Sequence, residues 1–282
     1  MPPFAAAPPA WTLLSPDSLN RLLPVEPNSL PEAVRIAVDQ EAGTPELRSA
    51  PLLATLRLLI EQAAAGDGLK LTATGNLSRA DVRVLFDALS WPDYDKANIL
   101  ALNKVLNEAD VGPVEITRRV AQEAKLLGRR QGRIRATKLG ATLAQSSNAL
   151  ALFRLLFTVL FWRVNLGYFD RVPVEGWPQD HIGLVLWCLS ASADRWSRAV
   201  DLVEVSTVRD PRFGAYEFDF RGFAMESRVL RPLTWLGLME SRADAAHDSL
   251  GMVTPRLYRK TPLFDRLLTF DVDLRDVPAG RH

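Results

Sequence analysis

The stretch KLLGRRQGRIRATKLG, residues 125–140, is the most informative part of this 282-residue sequence. Residues 125–128 and 133–137 are each typical of a short strand. The polar, glycine-containing segment between them predicts a β-hairpin with its turn at residues 129–132. Alternation along the returning strand, 133–137, places Ile134 and Ala136 on the buried face. The side chains predicted to point outward are Arg133, Arg135 and Thr137.

Helices are predicted on the amino-terminal side of the hairpin. Apolar residues recur at helical spacing after Pro51, and Ser78 with Asp81 three residues later resembles a capping box. Pro113 suits the first turn of the helix that runs into the hairpin. The helices and one short strand predicted before the hairpin are 51–65, the strand 69–72, 79–89, 96–108 and 113–126.

This order of helices and hairpin, closed by a short helix from Ala141 to about Ser147, resembles a winged helix-turn-helix. A weak repeat near the other end supports a second such module. Residues 133–143 and residues 256–268 each read as a basic alternating strand, a threonine and a short leucine-containing helix, with a one-residue offset.

The predicted fold class is mostly α with small β-hairpin wings, in which two winged-helix-like modules surround a central helical core. The first 51 residues hold ten of the nineteen prolines, which predicts an extended arm with one short helix near residues 32–42. The predicted divisions are an arm at 1–50, a winged-helix-like module at 51–147, the helical core at 148–207 and a second wing-like module at 208–282.

Two details of the second half are predicted from single residues. Pro232 should kink or split the helix that contains it. The central apolar helix, 149–164, carries Arg154 and Arg163, and a buried guanidinium needs a carboxylate. At least one of the two is expected to pair with Asp170 or Asp194.

Composition excludes several kinds of site. A single cysteine, Cys188, excludes an internal disulfide and a cysteine-based zinc site, and it lies in an apolar run typical of packing. The sequence shows no catalytic pair, no phosphate loop, no metal site and no cofactor motif. The uncharged apolar runs, of eight residues at 155–162 and of twelve at 182–193, are both far shorter than a membrane span. A cytoplasmic protein without a membrane partner is therefore expected.

The basic residues are distributed unevenly. Between Pro113 and Gly140 the sequence carries a net charge of +6, whereas the whole chain has +1. In a winged helix, the third helix can enter a major groove and the wing can contact the nucleic-acid backbone. The candidate nucleic-acid-binding residues are Arg118, Arg119, Gln122, Lys125, Arg129, Arg130, Arg133 and Arg135.

The chain resembles a family of uncharacterised, mainly bacterial proteins with such modules. The matching elements are Leu71–Leu77 (LTATGNL), the strand Arg133–Thr137 with Gly140, the aromatic stretch Asn165–Asp170 followed by Pro173, and Lys260–Asp265 (KTPLFD). The resemblance implies the architecture and brings no reaction with it.

The sequence favours a nucleic-acid-binding or regulatory accessory protein over an enzyme. The alternative is an interaction scaffold without catalysis, whose basic wing docks an acidic protein. The sequence leaves open the target, the oligomeric state, the pathway, and whether the aromatic loop from Asn165 to Trp177 binds a ligand.

Overall fold

The computed structural model describes residues 9–26, 28–39, 44–92, 94–245 and 255–275. Within these residues the chain is mostly α-helical, with small antiparallel sheets. The helices are α1 Pro16–Arg21, α2 Thr44–Ser49, α3 Pro51–Ala64, α4 Arg79–Ala88, α5 Lys96–Leu102, α6 Gly112–Glu123, α7 Lys138–Leu143, α8 Ala149–Trp162, α9 Ile182–Ser192, α10 Ala199–Ser206, α11 Phe220–Met225, α12 Arg231–Trp235 and α13 Pro262–Leu267. The strands are β1 Val34–Ile36, β2 Leu69–Lys70, β3 Leu127–Arg130, β4 Arg133–Ala136, β5 Ser197–Arg198, β6 Met239–Ala243, β7 Arg256–Lys260 and β8 Leu268–Phe270.

The chain divides into two compact units. Unit A comprises the described residues of 38–160 together with 235–237, and unit B comprises those up to residue 37, of 161–234, and from 238 onward. None of the helices in the described ranges has the length and apolar character that crossing a membrane requires.

The sheet of unit A has the strand order β2-β4-β3. β2 lies between α3 and α4 in the sequence and pairs with β4, while β3 and β4 form the hairpin after α6. Ile134 in β4 is fully buried, and Leu69 opposite it is 3% exposed. The inward position predicted for Ile134 is therefore confirmed. The Ser78 cap is also confirmed, since its hydroxyl accepts the N–H of Asp81 at the start of α4.

The turn of this hairpin is two residues shorter than the sequence predicts. It consists of Gln131 and Gly132, whose φ angles of +49° and +70° are those of a type I′ turn. Because the twist of such a turn matches the twist of the flanking strands, strand pairing continues up to it. Arg129 and Arg130 therefore belong to β3 and not to the turn.

Helix α6 ends in a Schellman motif. The N–H of Leu126 donates to the carbonyl of Ala121 at 2.8 Å, and the N–H of Lys125 donates to the carbonyl of Gln122 at 3.0 Å. Lys125 has a φ of +59°. A residue with a Cβ adopts this left-handed conformation at a higher cost than glycine does.

Unit B repeats the element order of unit A. The order is α9, β5, α10, α11 with α12, β6, β7 and α13, and the sheet order is β5-β7-β6. The N–H of Thr137 donates to the carbonyl of Leu126 at 3.0 Å in unit A. At the matching place in unit B, the N–H of Thr261 donates to the carbonyl of Leu238 at 2.9 Å. The repeated order begins at α9, ahead of the segment 208–282.

The helix ends before the two hairpins also correspond. The N–H of Leu238 bonds to the carbonyl of Leu233, five residues back, at 2.9 Å. The left-handed position that Lys125 takes in unit A is taken here by Gly237, with a φ of +77°. The two hairpins are therefore joined to their preceding helices in the same way.

The helix around Pro232 is continuous, but it departs from α-helical hydrogen bonding just before the proline. α11 ends at Met225, residues 226–230 form a π-helical turn, and α12 begins at Arg231. The N–H of Arg231 donates to the carbonyl of Glu226, five residues back. A wider turn at this point accommodates a proline that has no N–H to donate and whose ring crowds the preceding turn.

The helix predicted near residues 32–42 is wrong. Val34–Ile36 forms strand β1, with Val34 and Ile36 buried and Arg35 exposed, and it pairs antiparallel with β8. The partner strand lies more than 230 positions further along the chain, at Leu268–Phe270. Because strand formation here depends on that distant partner, the local proline density gave no indication of it.

From residue 9 to residue 37, the predicted extended arm is instead part of unit B. Leu14 and Leu22 are fully buried, and both pack in a cluster with Leu184 of α9. The indole N–H of Trp11 donates to the carbonyl of Thr207 at 3.2 Å. The part of the predicted arm before residue 9 lies outside the described residues.

The apolar central helix is confirmed as α8, but its predicted ion pair is wrong. Arg154 and Arg163 are both exposed, and neither has an acidic partner among the described residues. Asp170 pairs with Arg228 at 2.7 Å, and Asp194 pairs with Lys260 at 3.2 Å.

Candidate nucleic-acid interface

One face of the unit A sheet, called here the cationic face, carries Lys70, Arg130, Arg133 and Arg135. The register places Lys70 opposite Arg133 and Arg133 opposite Arg130, so a row of three cations crosses all three strands. Residues opposite each other in antiparallel strands project from the same face. With strands about 4.8 Å apart, the row spans about 10 Å between its outer Cα atoms.

The cationic face has little negative charge to balance it. Asp67, itself 77% exposed, lies 3.9 Å from Arg133 and 3.7 Å from Arg135. Lys70 and Arg130 have no ion-pair partner among the described residues. Directly opposed like charges destabilise a sheet by roughly 0.2–1 kcal/mol per pair. The row is thus maintained against its own repulsion.

Gly68 leaves this face uncovered. Its φ is +82°, and a Cβ built on it would lie 2.4 Å from the carbonyl oxygen of Ile134 and 3.1 Å from the Cγ of Arg135. No larger residue fits there without a shift of the backbone. Arg133 instead donates across the opening to the carbonyl of Gly68, at 3.1 Å.

Further unpaired cations lie around the hairpin. Lys125, Arg129 and Lys138 are exposed, and none of them has an ion-pair partner in the described ranges. Arg129 is paired with Ile134 across the hairpin and therefore belongs to the opposite face from Arg130. Its guanidinium lies near the turn at Gly75.

Arg118 does not belong to the exposed surface, contrary to the prediction. Arg118 is 7% exposed, and its guanidinium forms a bidentate ion pair with Glu108, which is 1% exposed. Glu108 also accepts the N–H of Leu77 at 2.7 Å. Arg118 therefore ties α6 to the segment before it and to the turn before α4.

The other two predicted residues of α6 are also engaged. The side-chain carbonyl of Gln122 accepts a hydrogen bond from Arg118 at 2.7 Å. Arg119 donates twice to Glu115 one helical turn earlier, at 3.1 and 2.9 Å. Of the eight predicted residues, those that remain exposed and unpaired in the described structure are Lys125, Arg129 and Arg130.

On the equivalent face in unit B, the arginines are engaged by an acid and an indole. Arg259 pairs with Glu240 at 2.5 Å. The ring centroid of Trp196 lies 4.7 Å from the Cζ of Arg259 and 4.4 Å from that of Arg242. Trp196 immediately precedes β5, as Gly68 immediately precedes β2. An indole thus covers the place that glycine leaves open in unit A.

A buried ion pair between Arg228 and Asp170 holds the aromatic loop of unit B in its conformation. The guanidinium of Arg228 is 1% exposed and donates to both carboxylate oxygens of Asp170, at 2.7 and 2.9 Å. It also donates to the carbonyls of Val174 and Trp177, at 2.7 and 2.6 Å. Burial acts to raise the pKa of Asp170, but the hydrogen bonds, led by that from Arg228, hold it below its ordinary value. These contacts fix the loop itself.

Three other features are candidates for a reactive or metal-binding site: a cavity in unit B, the thiol of Cys188, and clusters of possible metal ligands among the described residues. A cavity of about 590 Å³ in unit B is lined by side chains of mixed charge, among them Glu175, Asp180 and Arg212. Burial raises the pKa of the Cys188 thiol to about 12, so this thiol stays protonated near neutral pH. No group of three or more possible metal ligands occurs in the described ranges.

Comparison with known proteins places the basic hairpin inside a recognised family region. Residues 48–149 match the Y4jL N-terminal domain family. The chain is 30% identical over 90 residues to the uncharacterised protein y4jL of Sinorhizobium fredii. These 90 residues make up 32% of this chain and 41% of that protein. The matched part of the chain therefore spans less than half of this relative. No solved structure matches.

These matches support the resemblance to a family of uncharacterised bacterial proteins over unit A. The quoted elements at Asn165–Asp170 and Lys260–Asp265 lie beyond the matched residues. The region that matches the family model contains the cationic face.

Sequence reasoning missed Lys70, which lies more than 50 positions before the hairpin. The sequence does predict that Lys70 lies in a short strand, at residues 69–72. What the sequence does not contain is the register that places Lys70 beside Arg133. Only the pairing of β2 with β4 brings the two cations together.

Proposed function

We propose that this protein is a nucleic-acid-binding accessory protein and that unit A is its binding module. The observation that carries the proposal is the row of directly opposed cations on an exposed sheet face, with Asp67 as its nearby acid. Mutual repulsion raises the free energy of such a row. Binding of a polyanion lowers it again, because the ligand attracts each of the cations.

The topology of unit A supports this proposal. Its helix–strand–helix–helix–helix–hairpin order, with the first strand paired to the last, is similar to a winged helix-turn-helix, and unit B has the same order. The predicted module at 51–147 falls within the matched region. A fold of this kind does not by itself determine a ligand, so the argument depends on the charges.

Binding to labelled 30-base-pair DNA of mixed sequence, measured by fluorescence anisotropy between about 50 and 300 mM salt, tests the proposal. The intact chain should bind with a strongly negative slope of log K against log salt. In the variant Arg130→Gln, which removes one unpaired cation of the row, the slope should fall by about 0.9, the contribution of one contact.

The control is the double variant Arg154→Gln/Arg163→Gln. It removes two exposed arginines that also lack acidic partners among the described residues, but that lie outside the hairpin. It should bind as the intact chain does. Polyglutamate, a mimic of an acidic protein surface, is the competing ligand. Binding of polyglutamate without retention of duplex or single-stranded DNA at about 50 mM salt would reject the proposal and favour the scaffold.

A further inference from the structure

We propose that the cationic face binds the phosphate backbone of a nucleic-acid duplex independently of base sequence, with Lys70 as a contact residue and without insertion of α6 into a groove. This inference depends on the proposed function and specifies its ligand and mode. It rests on the accessibility of α6, the composition of the face, and the contrast with unit B.

Helix α6 offers few free groups for reading bases. Direct readout requires side chains that can present donors and acceptors to base edges. Arg118 is buried against Glu108, and the side-chain carbonyl of Gln122 is occupied by Arg118. Glu123, the most exposed residue of the helix, is an acid that a duplex would repel. The helix that would carry sequence specificity therefore serves the interior of unit A.

The composition of the cationic face favours a duplex over a single strand. Single-strand binding surfaces combine a basic groove with aromatic side chains on which bases stack. The residues of this face are Gly68, Lys70, Gly128, Arg130, Arg133 and Arg135, and none is aromatic. A duplex carries one charge per about 1.7 Å of its axis, twice the density of a single strand. A rigid row of cations about 10 Å long gains most from the denser ligand.

Unit B contains a natural comparison for the same surface. Its equivalent of Lys70 is Arg198, which pairs with Asp201 at 3.0 Å, and its equivalent of Arg135 is Arg259, which pairs with Glu240. Trp196 covers the remaining space. Although the element order occurs twice, Arg198 and Arg259 of unit B pair with acids, whereas Lys70 and Arg130 of unit A have no ion-pair partner among the described residues. One site per chain is therefore expected.

The experiment compares Lys70→Gln with Gln122→Ala on three unrelated 20-base-pair duplexes and their separated strands. Lys70→Gln should weaken binding to all three duplexes equally, by about eightfold at 0.1 M salt, and reduce the salt slope by about 0.9. Gln122→Ala should change neither the affinity nor the preference among sequences. Lys70→Arg, which keeps the charge, should bind as the intact chain does, and thermal unfolding checks that each variant is folded.

The outcomes separate this inference from the proposed function. Binding of the intact chain with an unchanged slope for Lys70→Gln would overturn the inference alone. The same holds for a preference of more than tenfold for one duplex, for tighter binding to single strands, or for two sites per chain in a titration. Absence of binding to every nucleic acid would overturn the proposed function itself.

Discussion

Replacing Arg118 by methionine tests whether this residue belongs to the interior or to the binding surface. Methionine keeps much of the volume of the side chain but removes the guanidinium. Glu108, 1% exposed, then retains only the N–H of Leu77 among the three donors that its carboxylate now accepts. An ionised carboxylate is left in the interior without its counter-charge.

The expected loss of stability is large. Removing one partner of a buried ion pair costs about 3–5 kcal/mol, because the remaining charge is uncompensated. Water does not reach the remaining carboxylate to solvate it, since both side chains of the pair are more than nine-tenths buried. At about 2–4 °C per kcal/mol for a chain of this size, the melting temperature should fall by roughly 10 °C. The double variant Glu108→Gln/Arg118→Met removes both charges and should recover most of the loss.

Urea unfolding followed by circular dichroism measures the effect. Arg119→Met is the matched control, one position along the same helix, and its half-buried, single-turn pair with Glu115 predicts a change below about 1 kcal/mol. The reasoning would be refuted by an Arg118→Met protein that unfolds at the same urea concentration as the intact chain. If that protein also lost affinity for DNA, Arg118 would belong to the binding surface after all.

Two further predictions concern particular positions. Lys125→Gly should stabilise the protein by about 0.5–1 kcal/mol and Gly237→Ala should destabilise it by about 1 kcal/mol, since both positions have positive φ; equal urea midpoints for both variants would contradict this. Because the pKa of Asp170 is lowered in the folded state, its contribution to stability is present above the ordinary carboxyl pKa and is lost as the pH falls through the lowered value. Asp170→Asn should therefore unfold more easily at neutral pH and show a smaller further loss on acidification, as thermal unfolding between pH 7 and pH 2.5 would reveal.

Local patterns in the sequence predicted local structure. Alternation predicted the buried Ile134, the Ser78 cap predicted the start of α4, and Pro232 indicated where its helix departs from regular α-helix. Each of these features depends on neighbours within about one turn of helix or one hairpin, and such neighbours are visible in the sequence.

Features that depend on distant partners were not predicted. The spacing that puts Arg118 and Gln122 on one helical face is correct, but Glu108, ten positions earlier, turns that face inward. The place of Lys70 in the cationic face depends on pairing with Arg133, 63 positions later. The charges of the candidate site were therefore evident from the sequence, whereas their accessibility was set by tertiary contacts.

The pairing of β1 with β8 has a consequence for the order in which the chain acquires its structure during synthesis. Val34 pairs with Phe270, so 236 residues must be added after the first strand before its partner exists. At a synthesis rate of about 5–20 residues per second, the first strand waits roughly 12–50 s. Nearly all of unit A leaves the ribosome as one continuous segment in that interval. The candidate binding module can therefore assemble while the apolar residues around Leu14 and Leu22 are still without the final strand of unit B, and these are the residues for which a nascent-chain chaperone would compete.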